Sequence, residues 1–188
     1  MQNKIIVIIL LLATLSLNAQ KVVTINSEQS GALNTNIKCN ISKIQELTIS
    51  GKIDARDFLT IKKMSELKIL NLKDVQIEAY SGKDWSYSDT CRSNTIPDYA
   101  FCDPSNGEGF KNLEKISLPA TLVKIGEYAF GNCLKLKEIK VNNTTLPEFS
   151  MTSFNGLETS KCVLLVTKCN KRIFEESHLG KLFKVKGL

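Results

Sequence analysis

The sequence predicts a solenoid, mostly β with some α/β character, in which short parallel strands stack at a period of about 23 residues. The returns between strands are expected to be irregular or short helices. Two observations predict this fold class. One apolar pattern recurs at a fixed interval, and the hexapeptide IGEYAF at 125–130 is nearly duplicated as IPDYAF at 96–101. Self-similarity at a period of 20 to 50 residues is typical of stacked repeats.

The apolar pattern places hydrophobic side chains at positions 0, 3 and 5 of each unit, which is the spacing of a short strand with one buried face. The first two copies are 23 residues apart, and so are the last two. A single strand of this kind cannot bury its apolar face alone, so stacking against the next copy is expected. The four copies are Ile44, Leu47, Ile49; Leu67, Leu70, Leu72; Leu113, Ile116, Leu118; and Leu136, Ile139, Val141.

Between the second and third copies the interval doubles, and the duplicated hexapeptide explains why. We interpret this stretch as one unit with insertions at about 78–95 and 103–109, because residues 90, 93 and 95 are Thr, Ser and Thr and cannot form a buried rung. Within a unit, Pro119 and Gly126 mark the return of the chain. Phe101 and Phe130 are then predicted to pack between coils, on the side away from the strands.

The ends of the chain have their own signatures. Residues 1–20 have the three-part plan of a secretory signal peptide, and no segment of the mature chain is apolar enough to span a membrane. Residues 21–42 are predicted to cap the solenoid with a strand at Val22, Val23 and Ile25, and the repeats are placed at 43–160. Residues 161–188 form the second cap, with a helix near 171–178 and an apolar stop at Leu182, Phe183 and Val185.

Charge and cysteine usage limit the function classes. The net charge of +6 comes from Lys4 and from the basic tail after residue 160, while 21–160 is neutral, so a nucleic-acid surface is not expected. Export permits disulfides, and sequence spacing offers two pairs, Cys91 with Cys102 and Cys162 with Cys169. No CxxC motif is present, so neither a metal site nor a cofactor is predicted.

Catalytic residues are scarce. The chain has one histidine, His178, and contains no GxSxG, HExxH, P-loop or GxGxxG motif. A thiol nucleophile could be built only from Cys162 or Cys169 with His178, and nothing around them indicates an activated thiol. The sequence therefore predicts a protein that is not an enzyme, with a small thiol or carboxylate hydrolase as the weakest alternative.

The segment LEKISLPATLVKIGEYAFGNCLKLKEIKV (113–141) closely resembles the BspA-like leucine-rich repeats of secreted and surface proteins of Bacteroidetes, whose units read LxxIxLPxxLxxIGxxAFxxCxxLxxI. Residues 47–77 are similar to the N-terminal repeats paired with them, and 162–188 are similar to their closing segment. LPEFSMTSFNG departs from the motif. The resemblance implies a leucine-rich-repeat solenoid and, for parts of the family, adhesion to host or matrix proteins.

Binding is therefore the predicted role, either of an extracellular protein or, as an alternative, of a glycan by a carbohydrate-binding accessory protein. The chain is expected to act as an exported monomer in the periplasm, in the medium or at the cell surface. On the concave side of the strands the candidate contact residues are Thr48, Asn71, Lys73, Lys115, Ser117, Glu138 and Lys140. In the larger insertion they are Tyr80, Trp85 and Tyr87, which either contact a ligand or fold back over the solenoid.

Overall fold

The computed structural model describes residues 21–85, 88 and 90–188, so the predicted signal peptide at 1–20 lies outside the described residues. The strands are β1 (Lys21–Ser27), β2 (Ile44–Ile53), β3 (Ile69–Ile77), β4 (Tyr80–Ser81), β5 (Thr90–Cys91), β6 (Thr95–Ile96), β7 (Lys115–Leu118), β8 (Lys124–Ile125), β9 (Glu138–Val141), β10 (Glu148–Phe149), β11 (Val163–Val166) and β12 (Lys184–Gly187). A main sheet of seven parallel strands has the order β1-β2-β3-β7-β9-β11-β12, and a second sheet has the order β10-β8-β6. The helices are α1 (Leu33–Asn36), α2 (Ala55–Lys62), α3 (Lys171–Glu175) and α4 (His178–Leu182).

The predicted register of the apolar pattern is confirmed. Leu47 lies opposite Leu70, Leu70 opposite Ile116, and Ile116 opposite Ile139 across parallel strand pairs. All four side chains are buried, with at most 1% of their surface exposed. The same row continues to Val23 in β1 and to Leu164 in β11. Each strand therefore buries its apolar face against the next, as the solenoid prediction requires.

The second sheet is built from the hexapeptides, on the side of the solenoid away from the main sheet. Ile96 pairs with Ile125 in parallel, and Ile125 pairs with Phe149. This pairing sets the register of LPEFSMTSFNG, the segment that departs from the motif, because FSMTSF at 149–154 takes the place of IGEYAF. Gly126 lies where two coils approach closely, since a Cβ there would stand 2.5 Å from the backbone nitrogen of Asp98.

A ladder of phenylalanines fills the space between coils. Phe101 stacks on Phe130 with ring centroids 5.2 Å apart, and Phe130 stacks on Phe154 at 5.6 Å. Phe58 at one end and Phe183 at the other close the ladder with edge-on contacts. The predicted packing role of Phe101 and Phe130 is confirmed, because both rings are at most 1% exposed.

Phe58 reveals one more hexapeptide, which the sequence comparison missed. IDARDF at 53–58 ends on this ring just as IPDYAF ends on Phe101. Its return is the regular helix α2, which begins with a capping box between Asp54 and Asp57. This helix stands where the later coils have irregular returns. Phe58 is the residue of IDARDF that repeats the aromatic position held by Phe101 and Phe130 in those coils.

Asp57 ties the N-terminal segment to this helix. Its buried carboxylate accepts hydrogen bonds from the backbone N–H groups of Gly31 (2.7 Å), Leu33 (2.9 Å) and Asp54 (2.9 Å). Burial raises the pKa of Asp57, and the three N–H donors oppose that shift. The loop before α1 is therefore held by one side chain that no apolar pattern predicts.

The two insertions adopt compact shapes. β4 and β5 pair antiparallel within the larger insertion, with Tyr80 opposite Cys91. The smaller insertion is a closed loop. Its ends, Cys102 and Gly109, form an isolated antiparallel β-bridge, and the N–H of Asp103 donates to the carbonyl of Glu108. Both leave the stacking of the neighbouring coils undisturbed, since the hexapeptide of their unit keeps its register with the next one.

At the C-terminal end the helix predicted near 171–178 is present, but it is shorter than predicted and a second helix that was not predicted follows it. α3 ends at Glu175, and α4 begins at His178 with Ser177 as its cap, whose hydroxyl accepts from the N–H groups of Leu179 and Gly180. A serine that satisfies two helical N–H groups starts a new helix at that point. Among the described residues, no helix has the length and apolarity needed to cross a bilayer.

Candidate binding face

The side chains that alternate with the buried row of the main sheet form one continuous surface, called the exposed face below. Parallel pairing places successive members side by side, about 4.8 Å apart from strand to strand. One row is Thr24, Thr48, Asn71, Ser117, Lys140, Leu165 and Lys186; the other is Val22, Glu46, Ile69, Lys115, Glu138, Val163 and Lys184. The structure therefore brings six of the seven candidate contact residues predicted on the concave side of the strands into register.

The exposed face contains both uncharged polar groups and charges. Thr48, Asn71 and Ser117 lie next to one another and are each partly exposed. Lys115 forms an ion pair with Glu138 across β7 and β9, with 3.8 Å between Nζ and Oε2. An exposed pair at this distance contributes little to stability, so both side chains can turn towards a partner.

Lys73 is the candidate that leaves the register. A β-bulge in β3 sets two residues, Leu72 and Lys73, against one in β2, so that Asp74 rather than Lys73 lies opposite Ser50. Leu72 remains buried, and Lys73 is exposed with its ammonium paired to Asp74 at 2.5 Å. Alternation alone could not predict this shift, because an extra residue reverses the two faces beyond it.

Two β-strands that the apolar pattern did not include extend the exposed face at its C-terminal end. β11 contributes Val163 and Leu165, and β12 contributes Lys184 and Lys186. The apolar pattern missed β11 because Leu164 follows Ile139 by 25 residues instead of 23 and because Lys161 replaces the first apolar residue, whereas the resemblance of 162–188 to the closing segment of the family covers both strands. The run of four apolar residues VLLV at 163–166 is the feature of the sequence that indicates β11.

The aromatic residues of the larger insertion divide between core and surface. Trp85 is 1% exposed, so the packing alternative describes it and its ring is closed to a surface ligand. Tyr80 is partly exposed; the guanidinium of Arg56 lies 4.8 Å from its ring centroid, and its hydroxyl donates to Asp84 at 2.8 Å. Tyr87 lies outside the described residues. The insertion therefore offers one described aromatic side chain at the surface.

A cavity of about 470 Å³ opens between the end of α2 and the smaller insertion. Lys62, Phe101, Asp103 and Phe110 are among the residues that line it. Lys62 donates to the carbonyl of Cys102 at 2.9 Å, and its ammonium lies 5.3 Å from the centroid of Trp85. Burial lowers the pKa of Lys62 to about 8, and Asp103 partly opposes that shift.

The lowered pKa of Lys62 predicts a pH-dependent stability. The unfolded chain keeps this lysine protonated to about pH 10.4, whereas the folded chain releases the proton from about pH 8, so its contribution to stability rises between these values. We expect the free energy of unfolding of the wild type, relative to Lys62→Met, to increase by about 1 to 2 kcal/mol over that range. Urea titrations at pH 7.5, 9 and 10 measure it.

The control is Lys63→Met, which removes an exposed neighbouring ammonium of the same helix end. Its free energy of unfolding should follow that of the wild type at every pH. A constant difference between the wild type and Lys62→Met would contradict the assignment of a lowered pKa to this amine.

The six cysteines are free thiols in the structure. Burial raises the pKa of Cys133 and of Cys162 to about 12 and that of Cys91 to about 11. The charges of Asp98 and Asp54 add to the rise in the pKa of Cys91. Burial also raises the pKa of Cys102, where the charge of Lys62 opposes the rise and that of Asp103 adds to it. The pairings of Cys91 with Cys102 and of Cys162 with Cys169 remain predictions.

Alkylation separates these thiols by accessibility. With iodoacetamide at pH 8, the reduced protein is expected to react at Cys169 in its native fold, because this thiol is exposed, whereas Cys133 and Cys162 react only after unfolding. Peptide mass spectrometry with and without prior reduction reads each site. Rapid native labelling of Cys133 would contradict its burial, and labelling of Cys169 only after reduction would establish its disulfide.

The described residues contain no cluster suited to metal binding, and Cys162 is not an activated thiol. No group of three or more His, Cys, Asp or Glu in this part of the chain could hold a metal ion. His178 is exposed at the start of α4, while Cys162 is buried beside β11. A thiol with a pKa of about 12 is a poor nucleophile, so Cys162 lacks the activated state that catalysis needs.

Comparison with protein families gives one match. Residues 94–186 match the family model described as BspA type Leucine rich repeat region (6 copies). The match begins at the unit with IPDYAF and ends within β12, and so covers the whole second sheet and the later part of the exposed face. A comparison with curated proteins found no match.

Proposed function

Because residues 94–186 of this chain belong to the BspA-type leucine-rich-repeat family, we propose that the protein is an exported interaction module whose exposed face binds an extracellular protein. The observation that carries the proposal is the exposed face itself. It runs across seven strands without interruption, and its polar side chains Thr48, Asn71 and Ser117 are partly exposed.

Export and adhesion are the finer parts of the proposal. The charge, apolar run and polar end of residues 1–20 support export, and the family supports a repeat-based interaction role. Adhesion at the cell surface would follow if the partner is a host or matrix protein. No catalytic role is proposed, because binding accounts for the arrangement of the exposed face without any reactive group.

The proposal is tested by blocking the exposed face with bulky charge. In Asn71→Arg/Ser117→Arg the two arginines stand side by side at the centre of the exposed face. In the control Ser93→Arg/Ser105→Arg the same charge is added at exposed positions of the two insertions. Biolayer interferometry against a panel of purified secreted and matrix proteins, together with a glycan array, measures binding.

We expect a protein ligand that binds the wild type and the control but loses at least about tenfold in affinity for the blocked variant, because buried arginines at the centre of an interface disrupt its packing. Equal binding by the blocked variant would place the site elsewhere. Binding to glycans alone would overturn the protein assignment in favour of a carbohydrate-binding accessory protein.

A further inference from the structure

The exposed face is not uniform in charge. Its N-terminal part carries Thr24, Thr48, Asn71 and Ser117 in one row, which are all uncharged. Over the last three strands that row changes to Lys140, Leu165 and Lys186, and Lys184 lies in the neighbouring row. These three lysines with Val163 and Leu165 are called the basic end below.

Acidic side chains near the basic end are already engaged. Glu138, the one acid of its three strands, pairs with Lys115 of the preceding strand at 3.8 Å. Glu175 at the end of α3 and Glu176 just after it pair with Lys171 and Arg172 at 2.6 and 2.8 Å. The positive charge of the three lysines is therefore left without a matching set of carboxylates on the described surface around it.

The spacing and the floor of the basic end suit an extended polypeptide. Lys140 and Lys186 lie two strands apart, about 9.6 Å, and Lys184 and Lys186 lie two residues apart, about 6.8 Å. Between them Val163 and Leu165 are partly exposed. The two rows carry no aromatic side chain on which a sugar ring could stack, so apolar side chains of a peptide fit this floor better.

Resting on the proposed binding role of the exposed face, we infer that the basic end receives an acidic, extended segment of the protein partner. Carboxylates of that segment pair with Lys140, Lys184 and Lys186, while an apolar side chain between them covers Leu165 and Val163. The uncharged part of the exposed face then contacts the rest of the partner, so charge sets the orientation of the complex and polar contacts extend it.

Fluorescence anisotropy with a labelled peptide of four Glu-Glu-Leu units tests the inference on the full mature chain. A peptide of four Gln-Gln-Leu units is the neutral probe. The test variant is Lys184→Ser/Lys186→Ser, and the control Lys63→Ser/Lys124→Ser removes the same charge at exposed positions outside the exposed face. All four lysines are exposed, so both variants should melt near the wild-type temperature.

We expect the acidic peptide to bind the wild type and the control alike, to lose about tenfold in affinity for the test variant, and to weaken as salt rises. The neutral peptide should bind at least about tenfold more weakly than the acidic one. Equal losses in both variants would overturn the inference, because net charge would then explain binding. Binding of dextran sulfate but not of the acidic peptide would overturn it in favour of an acidic polysaccharide.

The two proposals fail separately. If the acidic peptide does not bind while the arginines at positions 71 and 117 still abolish capture of a protein ligand, the exposed face binds its partner without the basic end. If neither experiment shows binding at the exposed face, the interaction role of this surface fails together with the inference.

Discussion

Replacing Phe130 with alanine is expected to lower the free energy of unfolding by about 3 to 5 kcal/mol. Its ring is fully buried and stacks on Phe101 on one side and on Phe154 on the other. Truncation removes the buried area of the ring and leaves a cavity between three successive coils. Because each coil contacts only its neighbours, a cavity in the middle of the ladder weakens two interfaces at once.

Urea denaturation followed by circular dichroism measures the loss. The control is Leu134→Ala, four residues further along the same return, whose side chain is 70% exposed and whose truncation should change the free energy of unfolding by less than about 0.5 kcal/mol. A loss below about 1 kcal/mol in Phe130→Ala would mean that the aromatic ladder is not a principal support of the stack.

The part of the fold that the sequence could predict is the part where one interval repeats. Leu47, Leu70, Ile116 and Ile139 occur at multiples of 23 residues, and the structure places them in one row. Where the interval changes, pattern matching fails. IDARDF was missed because its helix puts Arg56 and Asp57 where the later coils have Tyr and Ala, so only the spacing of Ile53 and Phe58 repeats.

The candidate site was predictable to the same extent and for the same reason. Alternation along a strand fixes which side chains face outward, so Thr48, Asn71, Ser117 and Lys140 could be named before their neighbours were known. Trp85 illustrates the opposite case. The polar residues around it in the larger insertion indicate a loop at the protein surface. Only the three-dimensional path of the insertion shows that the ring of Trp85 folds into the core.

Replacing Asp57 with alanine is expected to lower the free energy of unfolding by about 3 to 5 kcal/mol, with the loss concentrated at the N-terminal end. The carboxylate accepts from three backbone N–H groups, those of Gly31, Leu33 and Asp54. Each buried donor left without an acceptor costs about 1 to 3 kcal/mol. The free energy of unfolding of Asp57→Asn should lie between those of the wild type and Asp57→Ala. The asparagine amide keeps one acceptor oxygen, but its NH2 group faces the N–H that the second carboxylate oxygen had accepted from.

Asp98→Ala is the matched control, since Asp98 accepts one hydrogen bond, from the N–H of Glu127 at 2.7 Å, at an exposed site. Its loss should stay below about 1 kcal/mol, because water replaces the carboxylate there. Hydrogen exchange locates the effect. In Asp57→Ala the amides of Gly31 and Leu33 should lose protection, while those of β7 and β9 keep it.

That difference in exchange decides how the N-terminal segment is attached to the solenoid. β1 also pairs with β2 along its whole length, so the strand has a support that does not depend on Asp57. If Asp57 anchors only the loop at 31–33, the amides of β1 stay protected in Asp57→Ala. If the amides of β1 exchange together with those of Gly31 and Leu33, the carboxylate of Asp57 holds the entire cap. If the amides of β1 and those of Gly31 and Leu33 all stay protected in Asp57→Ala, the role of Asp57 as an anchor is contradicted.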